Sequence, residues 1–208
     1  MKKDECLLVI FSKAPVAGKV KTRLIAELGS EGAASLYMQL VKKTLATASQ
    51  SSINNIILYC TPDDNHPFFG SCAAEFNLEL QTQKGHDLGA RMANAIMNGL
   101  ESYRAVILIG CDCPELSIND LNNAAEQLIN GSNIVLGPSE DGGYYLIGLT
   151  QYRAELFADI VWGRSNVLLT TRNRIEMLDI ESFELPMHWD IDQPNDYYRY
   201  LEICNSTN

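Results

Sequence analysis

Six short runs rich in Val, Ile, Leu and aromatic residues punctuate the chain: residues 6–11, NIILYC at 55–60, NLELQT at 77–82, AVILIG at 105–110, NIVLGP at 133–138 and YYLIGL at 144–149. Each has the length of one strand. Between them, apolar residues return at helical spacing. From Ser30, a candidate N-cap, the stripe runs through Leu36, Tyr37, Leu40, Val41, Thr44, Leu45 and Ala48. Similar stripes cover 87–103 and 117–130, the second opened by Ser117 with Asp120 three residues later, a capping-box pattern. Ser165 or Asn166 can cap a helix running to about Leu178, and 194–204 closes the chain as a helix. Strands that are apolar throughout need cover on both faces, and strands separated by helices pair in parallel. The pattern therefore predicts an α/β fold with a mainly parallel sheet. No repeat, low-complexity tract or linker divides the chain. Its 208 residues, 46% hydrophobic and 20% charged, fit one domain over 1–208.

In such folds ligands sit at the carboxyl ends of the strands, so the residues just after each apolar run carry the functional information. The first run leads into FSKAPVAGKVKTRL, Phe11 to Leu24, which puts Lys13, Lys19, Lys21 and Arg23 on one loop with Pro15 and Gly18. A P-loop is the first candidate, but its spacing would need glycine at position 13 and Ser or Thr at 20, where the chain has Lys13 and Val20. The loop reads as another kind of phosphate site, against the alternative of a solvated basic surface. It stands out because the whole chain is acidic, with a net charge of -10. That far field repels phosphate, which argues against a nucleic acid or an anionic membrane as partner. The lack of an 18-residue apolar run, and of the apolar stretch of a signal peptide in MKKDE, points to a cytoplasmic protein. The six cysteines lack a C-x-x-C pair, which fits reduced thiols; Cys111 and Cys113 flank Asp112 without a second pair at zinc spacing.

Three acidic constellations follow later strands. GCDCPEL carries Asp112, GPSEDGGYYLIGL carries Glu140 and Asp141, and PMHWDIDQPNDY carries Asp190 and Asp192. Carboxylates beside a Lys/Arg loop suit Mg²⁺ or Mn²⁺, which takes one or two carboxylates, waters and substrate phosphate oxygens. Structural alternatives stand beside this reading. Asp192 precedes Pro194 and is equally suited to capping the last helix, Asp190 to a supporting role, and Asp141 to a turn before Gly142 and Gly143. Asp112 is the hardest to explain structurally, because a carboxylate at a buried strand end is costly unless paired or bound to metal.

FSKAPVAGKVKTRL, QKGHDLGARM, IGCDCPEL, GPSEDGGYYLIGL, DIVWGRSNVLLTTRNR and DIDQPNDY, in this order from position 7 to about 200, together resemble bacterial proteins of the glycosyltransferase-A (GT-A) superfamily. More distantly, the basic loop, the Asp-x-Pro segment and DIDQP look like molybdenum-cofactor and phospholactate guanylyltransferases. The resemblance implies a three-layer α/β/α sandwich of the nucleotide-diphospho-sugar transferase type, with a nucleotide in the N-terminal half. By it, Lys13, Gly18, Lys21 and Arg23 bind the nucleotide, the three cations meeting its phosphates. Gln83, Gly85 and Asp87 lie near the base or ribose, with Arg91 in the next helix. Asp112 stands for the metal-binding aspartate of an Asp-x-Asp motif that here reads Cys111-Asp112-Cys113, so a second metal carboxylate comes from elsewhere, with Asp192 the first candidate. Glu140, Asp141, Tyr144 and Arg164 face the acceptor or sugar, and catalysis is expected from Lys21, Arg23, Asp112 and Asp141.

The function so implied is a metal-dependent transferase that uses a nucleotide-activated donor, a sugar nucleotide, and a small-molecule acceptor. Nucleotidyl transfer from a nucleoside triphosphate to a phosphorylated small molecule, with pyrophosphate release, uses the same equipment. Four cations on one loop lean toward that chemistry. A non-catalytic nucleotide-binding regulator is the third reading.

Overall fold

The protein is described by a computed structural model covering residues 4–206. In chain order the strands are β1 (Asp4–Lys13), β2 (Asn55–Thr61), β3 (Glu79–Thr82), β4 (Tyr103–Ile109), β5 (Ile134–Pro138), β6 (Tyr144–Leu149) and β7 (Ser182–Glu184). The helices are α1 (Ile25–Ser49), α2 (Pro67–Phe76), α3 (Leu88–Ser102), α4 (Ile118–Asn130), α5 (Val167–Met177) and α6 (Pro194–Ser206). The described strands form one sheet in the order β3-β2-β1-β4-β6-β5-β7. β1 pairs in parallel with β2 and β4, and β5 with β7. Only β6 runs against its neighbours, antiparallel to β4 and β5. The five residues 139–143 between β5 and β6 are too few for a crossover, so a hairpin is the available connection.

Alternate residues of β1 separate the two faces. Leu8 and Ile10 pack with Tyr37, Val41 and Leu45 of α1, Phe69 and Cys72 of α2 and Leu121 and Leu128 of α4. Leu7, Val9 and Phe11 face the other way, toward Met92, Ile96 and Leu100 of α3 and Leu168 and Ile175 of α5. The result is the α/β/α sandwich. Each fully buried Leu or Ile contributes about 1.5–3 kcal/mol, which is why the apolar runs settle in the middle layer. A third cluster joins Leu24, Leu36 and Leu40 to Trp189 and Ile191, and so ties the end of the basic loop to the segment after β7.

Local signals account for most boundaries. Ser117 and Asp120 form the reciprocal capping box of α4. Asn166 occupies the N-cap position of α5 but makes no side-chain capping bond. α1 starts at Ile25 rather than Ser30; Gly29, at φ 68 and ψ 168, kinks it, so Ser30 opens its regular part. α2 is an addition to the sequence reading. Only Phe69 and Cys72 of it are buried, too short a stripe to register, although Pro67 at its start and His66, whose Nδ1 accepts from Phe68 N at 3.3 Å, are proper start signals. No helix of the described residues is long and apolar enough to cross a membrane.

Candidate active site

The basic loop is built by a sharp turn and a strained residue. Lys13 ends β1, its amide donating to the buried Tyr37 hydroxyl at 2.9 Å, and Ala14 N donates to Thr61 O at 2.8 Å. The chain turns at Gly18 (φ 77), and Lys21 then adopts a left-handed conformation at φ 45 and ψ 42. A lysine there costs about 1–2 kcal/mol. That conformation accompanies an inward side chain: Lys21 is only 5% exposed, its Nζ donates to Ile191 O and lies 2.5 Å from Asp112 Oδ1. Arg23 pairs with Asp192, both more than half exposed. Lys13 Nζ donates to Lys19 O at 2.9 Å. The four cations thus divide: Lys21 and Arg23 are already engaged with carboxylates, and Lys13 lines the cleft described below.

The carboxylates come from three segments at the same rim. Ile191 N donates to Asp112 O at 2.9 Å, which stitches the turn after β4 to the last extended segment. Asp112 Oδ1 is buried, and among the described residues its one partner is the Lys21 ammonium, as an ion pair. Asp190 is largely buried and accepts from Ser139 Oγ at 2.5 Å. Burial pushes its pKa up to about 6, with further push from the charges of Asp112 and Asp141, against the Ser139 hydrogen bond and Lys21. Asp192 does not cap α6. The amides of Asp192 and Gln193 go to Asp196 Oδ2, at 3.0 and 2.6 Å, leaving the Asp192 carboxylate to Arg23. Asp141 makes the expected turn by accepting from Gly143 N at 2.8 Å, and it also lines the cleft. Glu140 holds Arg199 at 2.8 and 3.3 Å and is not among the cleft-lining residues.

Asp112, Asp141, Asp190 and Asp192 border a cleft of about 480 Å³, a size suited to a small ligand, over the carboxyl ends of β1, β2 and β4, and Lys21 and Arg23 reach it only through their carboxylate partners. Lys13, Gln83, Arg91, Asp112, Asp141, Tyr144, Arg164 and Asp192 all line it. Gln83 clamps the two strand ends, its Nε2 donating to Ser12 O at 3.2 Å and Tyr59 O at 2.9 Å. Arg91 donates from Nε to Gly85 O at 3.2 Å and from Nη1 to Thr61 Oγ1 at 3.3 Å. Gly85 shapes this loop from outside the lining: at φ 146, a Cβ on it would stand 2.6 Å from Arg91 N. Asp87 is the N-cap of α3, accepting from Ala90 N at 2.7 Å.

The opposite wall is formed by Tyr144 and the 161–167 loop. Trp162 meets the Tyr144 ring edge-on, with centroids 6.4 Å apart. It is seated against Gly89, where any Cβ would overlap the indole. Gly142 at φ 86 leaves room for the Ser165 carbonyl, and its own carbonyl accepts from Leu168 N at 2.8 Å. Burial pushes the Tyr144 hydroxyl well above its ordinary pKa, so it stays protonated. Sequence reasoning named neither Trp162, Tyr37 nor Ser139 as site residues. Trp162 lay within a quoted motif, Tyr37 read as helix stripe, and Ser139 had the signal of directly following a strand.

Among the described residues no group of three or more His, Cys, Asp or Glu side chains could hold a metal. What fits is a hard cation held by one or two carboxylates and completed by ligand phosphates, for which the buried, poorly partnered Asp112 Oδ1 is the natural anchor.

Residues 44–164 match the family described as "Uncharacterized protein conserved in bacteria (DUF2064)". The chain belongs to this family. Curated proteins give no match. Among solved structures, the DUF2064 chain resembles a candidate nucleotide-diphospho-sugar transferase from Desulfovibrio desulfuricans G20, with 30% identity, a TM-score of 0.84, and coverage of 91% of this chain and 83% of the other. A cytidylyltransferase from Leptospira borgpetersenii aligns at 14% identity and a TM-score of 0.65, covering 99% and 88% of the two chains. Rv0371c from Mycobacterium tuberculosis H37Rv, in complex with manganese, aligns at 15% identity and a TM-score of 0.59, covering 97% and 100%. The last two likenesses concern the fold, which is that of nucleotide-diphospho-sugar transferases.

Proposed function

We propose that this DUF2064 protein is a divalent-metal-dependent transferase that takes a sugar nucleotide as donor and passes the sugar to a small-molecule acceptor. The observation that carries the reading is the interlocking of Lys21 with Asp112 and of Arg23 with Asp192 at the rim of the cleft. Two cations and two carboxylates converge where a phosphate chain and its counter-ion would lie. The Desulfovibrio neighbour and the manganese complex of Rv0371c support it.

Bound at Asp112 and Asp192, Mg²⁺ or Mn²⁺ would supply positive charge for a departing nucleoside diphosphate. Lys13, Lys21 and Arg23 add further charge stabilisation at the same oxygens. Gln83 and Arg91 hold the strand ends that border the nucleotide half. Asp141 and Asp190 are the carboxylates available to orient an acceptor hydroxyl or take its proton.

A thermal-shift panel of sugar nucleotides and nucleoside triphosphates, with and without Mg²⁺ or Mn²⁺, tests this. A ligand at 100 times its dissociation constant adds about 2.7 kcal/mol of stability. Metal-dependent stabilisation by a sugar nucleotide and not by triphosphates is expected. Pyrophosphate release from a triphosphate would replace the reading with nucleotidyl transfer, and binding without any turnover would replace it with a nucleotide-binding regulator.

A further inference from the structure

The acceptor-side wall of the cleft is apolar, rigid and next to one uncommitted cation. Leu88 is 45% exposed at the start of α3 and, with Met92, Tyr144, Trp162 and Val167, lines this side. Trp162 cannot drift toward α3, because the space beside Gly89 is filled by its own indole, and the residues after it are locked to the 139–143 hairpin through Gly142. Arg164, two residues on, lines the same wall and carries neither an ion pair nor a side-chain hydrogen bond to any described residue. Pre-formed aromatic surface rewards a ligand with a ring or other flat apolar face, since little ordering entropy is spent on the protein side. A free guanidinium beside carboxylates rewards an anion, and it offsets the repulsion an anionic ligand would meet from Asp141 and Asp190.

Resting on the acceptor-side assignment of the proposed function, we infer that the acceptor is a ring-bearing anion, its ring on Trp162 and Tyr144 and its phosphate or carboxylate on Arg164. The chain has two tryptophans, and the other, Trp189, is buried under the Arg199 guanidinium at 4.2 Å. With Trp189→Phe in the background, Trp162 fluorescence reads this wall. Titration of the full chain with phenyl phosphate is expected to give saturable quenching at least tenfold tighter than with inorganic phosphate or phenol. Benzoate in parallel tells a carboxylate acceptor from a phosphate one. Arg164→Gln should remove the advantage over phenol, and Trp162→Ala the advantage over inorganic phosphate, the latter read by thermal shift. Equal affinity for inorganic phosphate and phenyl phosphate overturns the inference, as does an unchanged preference in Arg164→Gln. Displacement of phenyl phosphate by a nucleoside diphosphate assigns the wall to the nucleotide and also overturns it. Phenyl phosphate binding in a protein that binds no nucleotide sustains the inference and sinks the proposed function, so the two fail separately.

Discussion

Lys21→Met should make the protein bind Mn²⁺ more tightly in the absence of any nucleotide. The wild-type ammonium stands 2.5 Å from Asp112 Oδ1, the oxygen best placed to take a divalent cation, so ammonium and metal compete for one carboxylate. Two unit charges about 4 Å apart interact by about 1 kcal/mol in water and about 4 kcal/mol at an effective dielectric of 20, and a divalent ion doubles both. Asp112 is 49% exposed as a side chain, but its Oδ1 is buried and Lys21 is only 5% exposed, so the water limit is a floor for this site. Removing the lysine charge is therefore worth at least about 2 kcal/mol to the bare ion, about a 30-fold gain in affinity or more. Methionine fills nearly the same volume, and the lost donor to Ile191 O costs about 1–2 kcal/mol of folding stability, visible as a fall in the midpoint. Mn²⁺ binding is read by titration calorimetry or by the loss of the free-ion paramagnetic resonance signal, with thermal melts as the control for folding. Unchanged or weaker Mn²⁺ binding by a folded Lys21→Met protein refutes the competition. If Lys21→Met combined with Asp112→Asn binds as well as Lys21→Met alone, Asp112 is not a ligand at all.

Asp112→Asn by itself should abolish the metal-dependent part of nucleotide stabilisation with little loss of apo stability, because asparagine keeps the size and drops the charge; a full metal increment in the mutant melt would refute it. Asp190 binds its proton more tightly folded than unfolded, since its pKa is raised from 3.8 to about 6. The stability this linkage gives is fully present below about pH 4 and lost as pH rises through about 6, leaving a penalty near 3 kcal/mol at neutral pH. Asp190→Asn should accordingly raise the metal-free midpoint relative to wild type at pH 8, and that advantage should vanish by pH 4. Gly142→Ala combines a positive φ with overlap onto the Ser165 carbonyl, so a loss of about 3 kcal/mol or more is expected, together with a change in Trp162 emission; a wild-type melt would show the hairpin and the 161–167 loop to be independent.

The sheet was legible because its physics is local. Runs such as AVILIG and NIVLGP have few places to go but a covered middle layer, and Ser117 with Asp120 announces α4 without help from the rest of the chain. The strand contributing YYLIGL was also visible, and its antiparallel direction is carried by the five residues that separate it from NIVLGP, too few for a crossover, rather than by its apolar pattern. At the site, residue types carried the reading of Lys21 and Asp112, whereas their mutual contact depends on a left-handed backbone at Lys21 that nothing nearby in sequence encodes. The same limit explains Asp192. Capping by Asp192 or by Asp196 is equally grammatical in DIDQPNDY, and only the tertiary partner Arg23 separates them.

The wall of the cleft is held in place by atoms that are missing. Trp162 and Ser165 occupy positions that Gly89 and Gly142 vacate by having no side chain. Scanning the chain with alanine, which asks what each side chain does by shortening it, would pass over both positions as already small. The informative scan adds a methyl group: at Gly89 it would displace the Trp162 indole and at Gly142 the Ser165 carbonyl, so the shape of this wall is set by two residues whose side chains touch nothing.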